Sequence, residues 1–320
     1  MNAPGEAFRG PEPSPRDVSV PERWLVLTVA RPHDTELAGM MVEELLAIPA
    51  RGVEETAQDL VVYLPEPPGE GVEEFILRLR TRLERLLGIR PSISHRWQPH
   101  EEWRETWRRG LGARRVTDRV VVSPSWVDPK LGPGELLVTV DPGMAFGTAE
   151  HPTTRGAIRL LDTLVEPGER IADVGAGSGI LSIAAVRLGA ADVVAWEMDG
   201  WACEAARKNL AMNGVEGAVD VVHETVTPAT FDGRPPFDGM VANIESQVLL
   251  PLLPTFRGAL LQRGWLILSG ILEMEAPEVE RRAESAGFEL VDMDLTDGWW
   301  TGAFRLLAVA GEALPEGHSV

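Results

Sequence analysis

Strand-like and helix-like segments alternate from residue 153 onward, and this alternation constrains the fold more than any other feature of the sequence. Strands separated by helices of this length are typical of a doubly wound, mostly parallel sheet. The strand-like segments are RIADVG (170–175), DVVAWEMD (192–199), AVDVVHE (218–224), FDGMVANI (237–244) and GWLILSGI (264–271). The helix-like segments are TTRGAIRLLDTLV (153–165), GILSIAAVRLG (179–189), GWACEAARKNLAMNG (200–214) and QVLLPLLPTFRGALLQRG (247–264). Ligands of such sheets bind at the carboxyl ends of the strands, where we therefore look for site residues.

A glycine-rich loop joins the first of these strands to the helix that follows it. It reads Asp173-Val-Gly175-Ala-Gly177-Ser-Gly179, and glycine lets a backbone turn tightly and approach a ligand closely. A dinucleotide-binding fingerprint requires glycine at position 180, where this chain has Ile180. The G-x-G-x-G spacing indicates instead a cofactor without a pyrophosphate, held by the loop from Asp173 to Gly179.

An acidic residue at the end of the next strand narrows the choice of cofactor. The carboxylate of Glu197 is placed to accept hydrogen bonds from both hydroxyls of a ribose. The glycine loop and this acid together predict S-adenosylmethionine as the cofactor.

An asparagine follows the fourth strand-like segment, in the sequence Ala242-Asn243-Ile244. An amide there is able to accept a hydrogen bond from a nitrogen substrate while facing the methyl group of the cofactor. The alternative is structural, because asparagine is also a common cap of a following helix.

Six elements in the order strand-helix-strand-strand-helix-strand precede this region. They are RWLVLTVA (23–30), DTELAGMMVEELLAI (34–48), RGVEET (51–56), DLVVYL (59–64), GVEEFILRLRTRLERLLG (71–88) and IRPSISHRW (89–97). This order predicts a ferredoxin-like α+β domain, with two helices on one face of an antiparallel sheet. Its second helix has a stripe of apolar residues at helical spacing, formed by Phe75, Ile76, Leu79, Leu83, Leu86 and Leu87.

The remaining segments complete the predicted domain organisation. Residues 1–22 are rich in Pro, Gly and Glu and predict a disordered tail. The ferredoxin-like domain covers residues 23–98, and a linker helix and connection cover residues 99–125. Residues 126–311 form the predicted cofactor-binding domain, and residues 312–320 form a second tail.

Composition excludes several classes of function. The formal net charge is −19, and the sequence shows no basic stripe for sequence-specific nucleic-acid binding. An acidic protein favours a basic partner, although negative charge also simply keeps a protein soluble. A single cysteine, Cys203, and six scattered histidines argue against a metal site. No apolar run is long enough to span a membrane and the N-terminus lacks the order of a signal peptide, so we predict a cytoplasmic protein.

One further segment is specific enough to suggest a family. It reads Asp141-Pro-Gly-Met-Ala-Phe146-Gly147-Thr148-Ala-Glu-His151-Pro-Thr153-Thr154. This segment resembles the D-P-G-x-A-F-G-T-G-x-H-x-T-T motif of the PrmA family, the methyltransferases of large-subunit ribosomal protein L11. The D-x-G-x-G-S-G loop, the acid at Glu197, the A-N-I segment at Asn243 and the segment Leu268-Ser269-Gly270-Ile271-Leu272 are similar to that family too.

The resemblance implies an α/β protein with a class I Rossmann-like methyltransferase domain. The smaller ferredoxin-like domain precedes it in the sequence and, by the same resemblance, recognises the ribosomal protein. It implies that Thr154, Gly175, Glu197 and Asn243 contact the cofactor. It also implies that the loop from Phe146 through Gly147 and Thr148 to His151 closes over the methionine end. The chain departs from the family motif at Ala149, where glycine is expected, at Glu150, and at Glu197, where aspartate is more frequent.

The implied reaction transfers a methyl group to the side-chain amine of lysine or to an N-terminal α-amine. A lysine, with an ordinary pKa of about 10.4, must lose its proton first. Candidate proton acceptors are Glu150 and His151, although His151 is equally suited to a structural hydrogen bond and water is a third acceptor.

We therefore predict a protein N-methyltransferase that acts on a basic ribosomal protein, free or on the ribosome. The alternatives are a class I methyltransferase of another protein lysine or of a nucleobase, and a catalytically silent binding module. Methyltransferases of exocyclic amines and of glutamine usually carry N-P-P-[YFW], whereas this chain has Asn243-Ile244-Glu245-Ser246.

Overall fold

The computed structural model describes residues 23–46, 48, 52–56, 58–67, 69, 71–99, 111–141 and 149–307. The predicted tails and Phe146, Gly147 and Thr148 lie outside these residues, as does most of the predicted linker helix. In the part of the chain that is described, no helix is both long and apolar enough to cross a membrane. The chain divides into two units, Met1–Gly110 and Leu111–Val320.

The described part of the N-terminal unit contains the six predicted elements in the predicted order. They are β1 (Arg23–Ala30), α1 (Thr35–Leu46), β2 (Gly52–Glu55), β3 (Asp59–Leu64), α2 (Val72–Leu87) and β4 (Ile93–Pro99). The antiparallel sheet has the order β2-β3-β1-β4. Asp34 accepts a hydrogen bond from the N–H of Leu37 at 3.0 Å and so caps the start of α1.

The core of this unit forms where the two helices pack against the sheet. Five of the six predicted apolar residues of α2 are buried, but Leu86 is 51% exposed. Leu86 lies at the edge of the apolar stripe, and the adjacent Leu87 occupies the buried position.

The C-terminal unit is built on a seven-stranded sheet in the described residues, with the order β10-β9-β8-β11-β12-β14-β13. The strands of this unit are β5 (Arg114–Arg115), β6 (Val120–Ser123), β7 (Leu136–Thr139), β8 (Arg170–Val174), β9 (Asp192–Glu197), β10 (Val219–His223), β11 (Phe237–Asn243), β12 (Leu260–Leu272), β13 (Phe288–Thr296) and β14 (Trp299–Leu306). Strands β8 to β12 run parallel, and β14 and β13 add to the edge in antiparallel fashion. Strands β5 to β7 form a separate small sheet.

Helices cover both faces of the large sheet, as the alternating pattern predicted. They are α3 (Pro152–Leu164), α4 (Ile180–Leu188), α5 (Gly200–Asn213), α6 (Ser246–Ala259) and α7 (Ala276–Ser285). Helices α3, α4 and α5 contribute to one apolar core, and α6 and α7 contribute to the core on the opposite face. The central parallel strands β8, β9 and β11 are therefore covered on both faces, which accounts for their nearly continuous apolar sequences.

The structure differs from the sequence prediction at the end of α6. The predicted helix continues to Gly264, but α6 ends at Ala259 and β12 begins at Leu260. Leu260 pairs with Phe237 of β11, and the left-handed backbone of Arg263 (φ 64°) interrupts any helix at that point. The helix α7 and the β13–β14 hairpin had no counterpart in the sequence prediction.

Adjacent residues of α6 provide a test of this packing. Leu249 is fully buried, whereas the preceding Val248 is 51% exposed. We expect Leu249→Ala to lower the free energy of unfolding by about 2–5 kcal/mol, because it leaves a cavity in the core. Val248→Ala, the matched control, should change it by less than about 0.5 kcal/mol. Chemical denaturation of both variants measures the difference, and equal effects would contradict this assignment of the helix faces.

Candidate functional site

Three neighbouring strands of the large sheet end at the same place. Ala242 of β11 pairs with Val174 of β8, and Asn243 of β11 pairs with Ser269 of β12. The segment after β11 lies between two glycines: a side chain on Gly175 would come within 2.3 Å of Ile244 Cγ2, and one on Gly270 within 2.7 Å of the Ile244 carbonyl oxygen. Glycine at both positions therefore brings the three strand ends together.

The glycine loop turns between β8 and α4 as the sequence predicted. Gly175, Gly177 and Gly179 all have positive φ, a backbone conformation that other residues rarely adopt. The N–H groups of Gly175 and Ala176 donate to the carbonyl of Trp196 at 2.9 and 3.0 Å, which ties the loop to the end of β9.

Glu197 fixes this loop through its side chain. One carboxylate oxygen accepts the N–H of Gly177 at 2.9 Å, and the other accepts the N–H of Asp199 at 2.8 Å. Each oxygen has a second lone pair, so both remain able to accept a hydroxyl proton from a ribose. The predicted ribose role of Glu197 is compatible with these contacts, and the backbone role is one that the sequence did not indicate.

Asp173 is the buried carboxylate of the site. Its side chain is fully buried, and one oxygen accepts the hydroxyl of Ser182 at 2.6 Å. Burial raises the pKa of Asp173 to about 6, and the negative charge of Glu197 adds to the rise, while the hydrogen bond from Ser182 opposes it.

Asn243 stands at the end of β11 and does not cap a helix. Helix α6 begins at Ser246, and Glu245 occupies the position before it. The capping alternative for Asn243 is therefore excluded, which leaves its amide at the shared strand ends.

Three buried oxygens near these strand ends have no hydrogen-bond partner among the described residues. They are Oγ1 of Thr154, Oδ1 of Asp173 and Oδ1 of Asn243. Buried polar atoms are nearly always paired, so an unpaired group calls for an explanation, of which a ligand is one. S-adenosylmethionine has the ammonium group and the ribose hydroxyls that such acceptors bind. The residues present therefore fit the predicted cofactor.

His151 caps the first turn of α3. Its Nδ1 lies 2.7 Å from Oγ1 of Thr153 and accepts the N–H of Thr153 at 3.4 Å. Burial and the positive charge of Arg155 lower the pKa of His151 to about 4. The ring is thus neutral near pH 7 and accepts a proton only weakly, so the structural role predicted as the alternative for His151 is the one its contacts support.

Glu150 has a different environment from His151. Its carboxylate is partly exposed and accepts a hydrogen bond from Arg114 at 2.8 Å. Ala149, the departure from the family motif, is buried in the core beside α3. Glu150 therefore remains a candidate proton acceptor, although its carboxylate is already paired with the guanidinium group of Arg114.

Two residues next to the site were not singled out from the sequence. Trp299 presents its ring to His151 in an edge-to-face contact with centroids 4.9 Å apart, and Thr301 lies 2.8 Å from the hydroxyl of Ser269. The sequence carried a signal for them, because Asp297-Gly298 is a typical two-residue turn of a β-hairpin. That turn predicts the hairpin but not its contacts.

Comparison with known proteins gives a consistent result. Residues 55–306 match the model of the family described as "Ribosomal protein L11 methyltransferase (PrmA)". The chain is 38% identical over 273 residues to a ribosomal protein L11 methyltransferase of Pelotomaculum thermopropionicum, covering 85% of this chain and 87% of that protein. It is 40% identical over 241 residues to one of Symbiobacterium thermophilum, covering 74% of this chain and 77% of that protein.

A solved structure shares the fold. The crystal structure of a ribosomal protein L11 methylase from Lactobacillus delbrueckii subsp. bulgaricus matches with a TM-score of 0.55 and 30% sequence identity. The match covers 62% of this chain and 100% of that one. The predicted fold class, a class I methyltransferase sheet with a small N-terminal antiparallel sheet domain, is confirmed.

The pKa of Asp173 leads to a test by pH. Because the pKa is raised in the folded state, the folded protein binds more protons than the unfolded chain between about pH 4 and pH 6. The stability contributed by Asp173 is therefore present at low pH and lost as the pH rises through about 6. We expect the free energy of unfolding of the wild type, relative to Asp173→Asn, to fall by about 2 kcal/mol between pH 4 and pH 7.

Denaturant unfolding of the two proteins at several pH values measures this difference. The lowered pKa of His151 produces the opposite slope, but it is common to both proteins and cancels when they are compared. Parallel pH profiles for wild type and variant would show that Asp173 titrates normally.

Proposed function

Because the chain belongs to the ribosomal protein L11 methyltransferase (PrmA) family, we propose that it methylates amino groups of ribosomal protein L11 with S-adenosylmethionine as methyl donor. The observation that supports this most directly is the set of buried oxygens on Thr154, Asp173 and Asn243, which have no hydrogen-bond partner in the described part of the chain. A silent binding module has no reason to keep them, since an unpaired buried acceptor costs about 1–3 kcal/mol.

The proposed cofactor contacts follow from the geometry of the strand ends. Gly175, Gly177 and Gly179 allow the ligand to approach the backbone, Glu197 accepts the ribose hydroxyls, and Asp173 offers its free oxygen to the ammonium group. When bound, S-adenosylmethionine supplies a methyl group on a positively charged sulfur, which a neutral amine accepts. The loop residues Phe146, Gly147 and Thr148 belong to this proposal through the family motif alone.

The residues of the site then need only to place the amine. Oδ1 of Asn243 accepts one N–H of the attacking nitrogen, which leaves the nitrogen lone pair free to point at the methyl group. Holding two reactants in this way is worth roughly 7–11 kcal/mol of the barrier. The proton that leaves the substrate ammonium goes to Glu150 or to water, because the contacts of His151 give it a structural role as the cap of α3.

The proposed protein substrate is basic and the enzyme is acidic. A net charge of −19 steers a positively charged partner toward the enzyme, mainly by raising the rate of encounter. We assign the recognition of L11, free or on the ribosome, to the N-terminal unit, and the place of action to the cytoplasm, where ribosomal proteins are made.

The direct test is methylation of a defined substrate. We expect purified enzyme and labelled S-adenosylmethionine to transfer label to recombinant L11, with mass spectrometry placing the methyl groups on lysine or N-terminal amines. Total ribosomal protein and total RNA serve as competing substrates in parallel reactions. Label on another protein or on RNA, with none on L11, would reject the proposed substrate and leave the cofactor assignment standing.

Two variants separate cofactor binding from methyl transfer. We expect Glu197→Ala to weaken the binding of S-adenosylmethionine by about 1.5–3 kcal/mol, because a charge-assisted hydrogen bond is lost. Asn243→Ala should instead lower the single-turnover rate at saturating cofactor on the order of a hundredfold, because the nitrogen is misplaced. Calorimetry and single-turnover kinetics measure the two effects. A full rate for Asn243→Ala at saturation would remove its role with the substrate.

A further inference from the structure

We propose that the β13–β14 hairpin positions the first turn of α3 for methyl transfer, through Asp297, Trp299 and Thr301. These three are positioning residues: they hold the segment from Ala149 to Thr154 in a fixed place relative to Asn243. The inference rests on the proposed methyl transfer, and it adds a role for a part of the sheet that supplies none of the cofactor contacts assigned above.

The contact of Thr301 is the most buried of the three. The hydroxyl of Ser269 donates to the carbonyl of Thr153 at 3.0 Å and lies 2.8 Å from Oγ1 of Thr301. Ser269, Thr153 and Thr301 are each at most 1% exposed, so no water substitutes for these bonds. The next residue after Thr153 is Thr154, whose hydroxyl has no partner among the residues described and is one of the groups that we assign to the cofactor.

A bulge in β12 explains why Ser269 reaches α3. The pairing of β12 with β14 shifts register between Leu268 and Ile271, which are opposite Gly302 and Trp300. Ser269 and Gly270 thus lie opposite the single residue Thr301. A bulge bends a strand and redirects its side chains, and bulges are frequent next to active sites. Here it directs the Ser269 hydroxyl toward α3 while Gly270 stays against Ile244.

Helix α3 approaches the hairpin closely because its first full turn contains Gly156. A side chain at this position would lie 2.6 Å from Oγ1 of Thr301 and 3.1 Å from a carboxylate oxygen of Asp294. One turn later, Arg159 donates to Asp294 at 2.7 Å. The helix is therefore fixed against β13 and β14 in distance and in rotation.

The hairpin turn holds the residues that precede the helix. Arg155 donates to Asp297 at 3.1 Å and to the carbonyl groups of Ala149 and Glu150, and its side chain is only 11% exposed. Trp299 packs its ring against His151, which caps the helix. Asp297 and Trp299 thus contact the corner directly, and Thr301 acts on it through Ser269, so displacement of the hairpin disturbs all three contacts.

The consequence for the reaction is geometric. Asn243 belongs to β11, whereas Thr154 belongs to α3. Ser269 links the two, because it pairs with Asn243 and bonds the carbonyl of Thr153, and Thr301 of the hairpin holds the Ser269 hydroxyl. A misplacement of about 1 Å between reacting groups costs on the order of a hundredfold in rate. Loosening the hairpin contact should thus reduce methyl transfer while the glycine loop and Glu197 still bind the cofactor.

The test uses two substitutions at Thr301 in the full-length protein. Thr301→Val removes the hydroxyl and keeps the volume, and Thr301→Ser keeps the hydroxyl. We expect Thr301→Val to lower the single-turnover rate at saturating S-adenosylmethionine roughly ten- to a hundredfold. Cofactor affinity should fall by no more than about tenfold, because Thr154 is one of several cofactor contacts. Hydrogen exchange of the protein alone should be several-fold faster at residues 149–158. Thr301→Ser should resemble the wild type in both measurements.

Asp292→Asn is the matched control, because Asp292 lies on the same hairpin and its side chain bonds only the adjacent Met293 N–H in the described contacts. If Thr301→Val does not fold, Trp299→Leu takes its place, with the same expected changes.

A wild-type methylation rate and wild-type hydrogen exchange in Thr301→Val would overturn the proposal. Hydrogen exchange that rises equally in α7 would also overturn it, because that result would indicate general destabilisation of the protein. A wild type that binds cofactor but methylates no L11 would contradict the proposed function, and the exchange rates would still decide the positioning role.

Discussion

The close approach of three strand ends is the constraint on which the site depends. Ile244 passes between Gly175 and Gly270, and neither neighbour has room for a β-carbon. This contact places Asp173 on β8, Asn243 on β11 and Ser269 on β12 within one small region, although they are far apart in sequence. The chemistry assigned to the site requires no metal ligand or nucleophile from the protein. It requires only that these groups stay where the backbone contact puts them.

The sequence predicted the parallel part of the sheet well, because its central strands are buried on both faces and read as short apolar runs separated by segments of helix length. It did not predict where α6 ends. Apolar residues continue through Leu260 and Leu261, so hydrophobicity alone does not mark the boundary. Pairing of Leu260 with Phe237, a tertiary contact, decides it. The β13–β14 hairpin was missed for a related reason. A bulge between Leu290 and Asp292 places the apolar residues Leu290 and Val291 side by side, which interrupts the alternation that identifies strands.

Residue types and spacing located the candidate site, but not the way in which its groups are held. Glu197 was identified as a carboxylate at a strand end, and its two backbone hydrogen bonds became visible only when the glycine loop was folded against it. His151 was ambiguous in sequence, because a cap and a base use the same ring. Its burial beside Arg155 and its bond to Thr153 distinguish the two roles. Such distinctions depend on surroundings that come from distant parts of the chain.

The strand order at the antiparallel edge also bears on how the protein is made. Strand β14 lies between β12 and β13, yet it is synthesised after both. Until β14 emerges from the ribosome, β12 has an open edge over the apolar residues Trp265 to Leu268, and β13 has no strand to pair with. An open apolar edge is a template for aggregation, and growing chains fold from the N-terminus onward. A chain interrupted before Trp299 would therefore carry the cofactor loop on a sheet whose apolar edge is still open to aggregation.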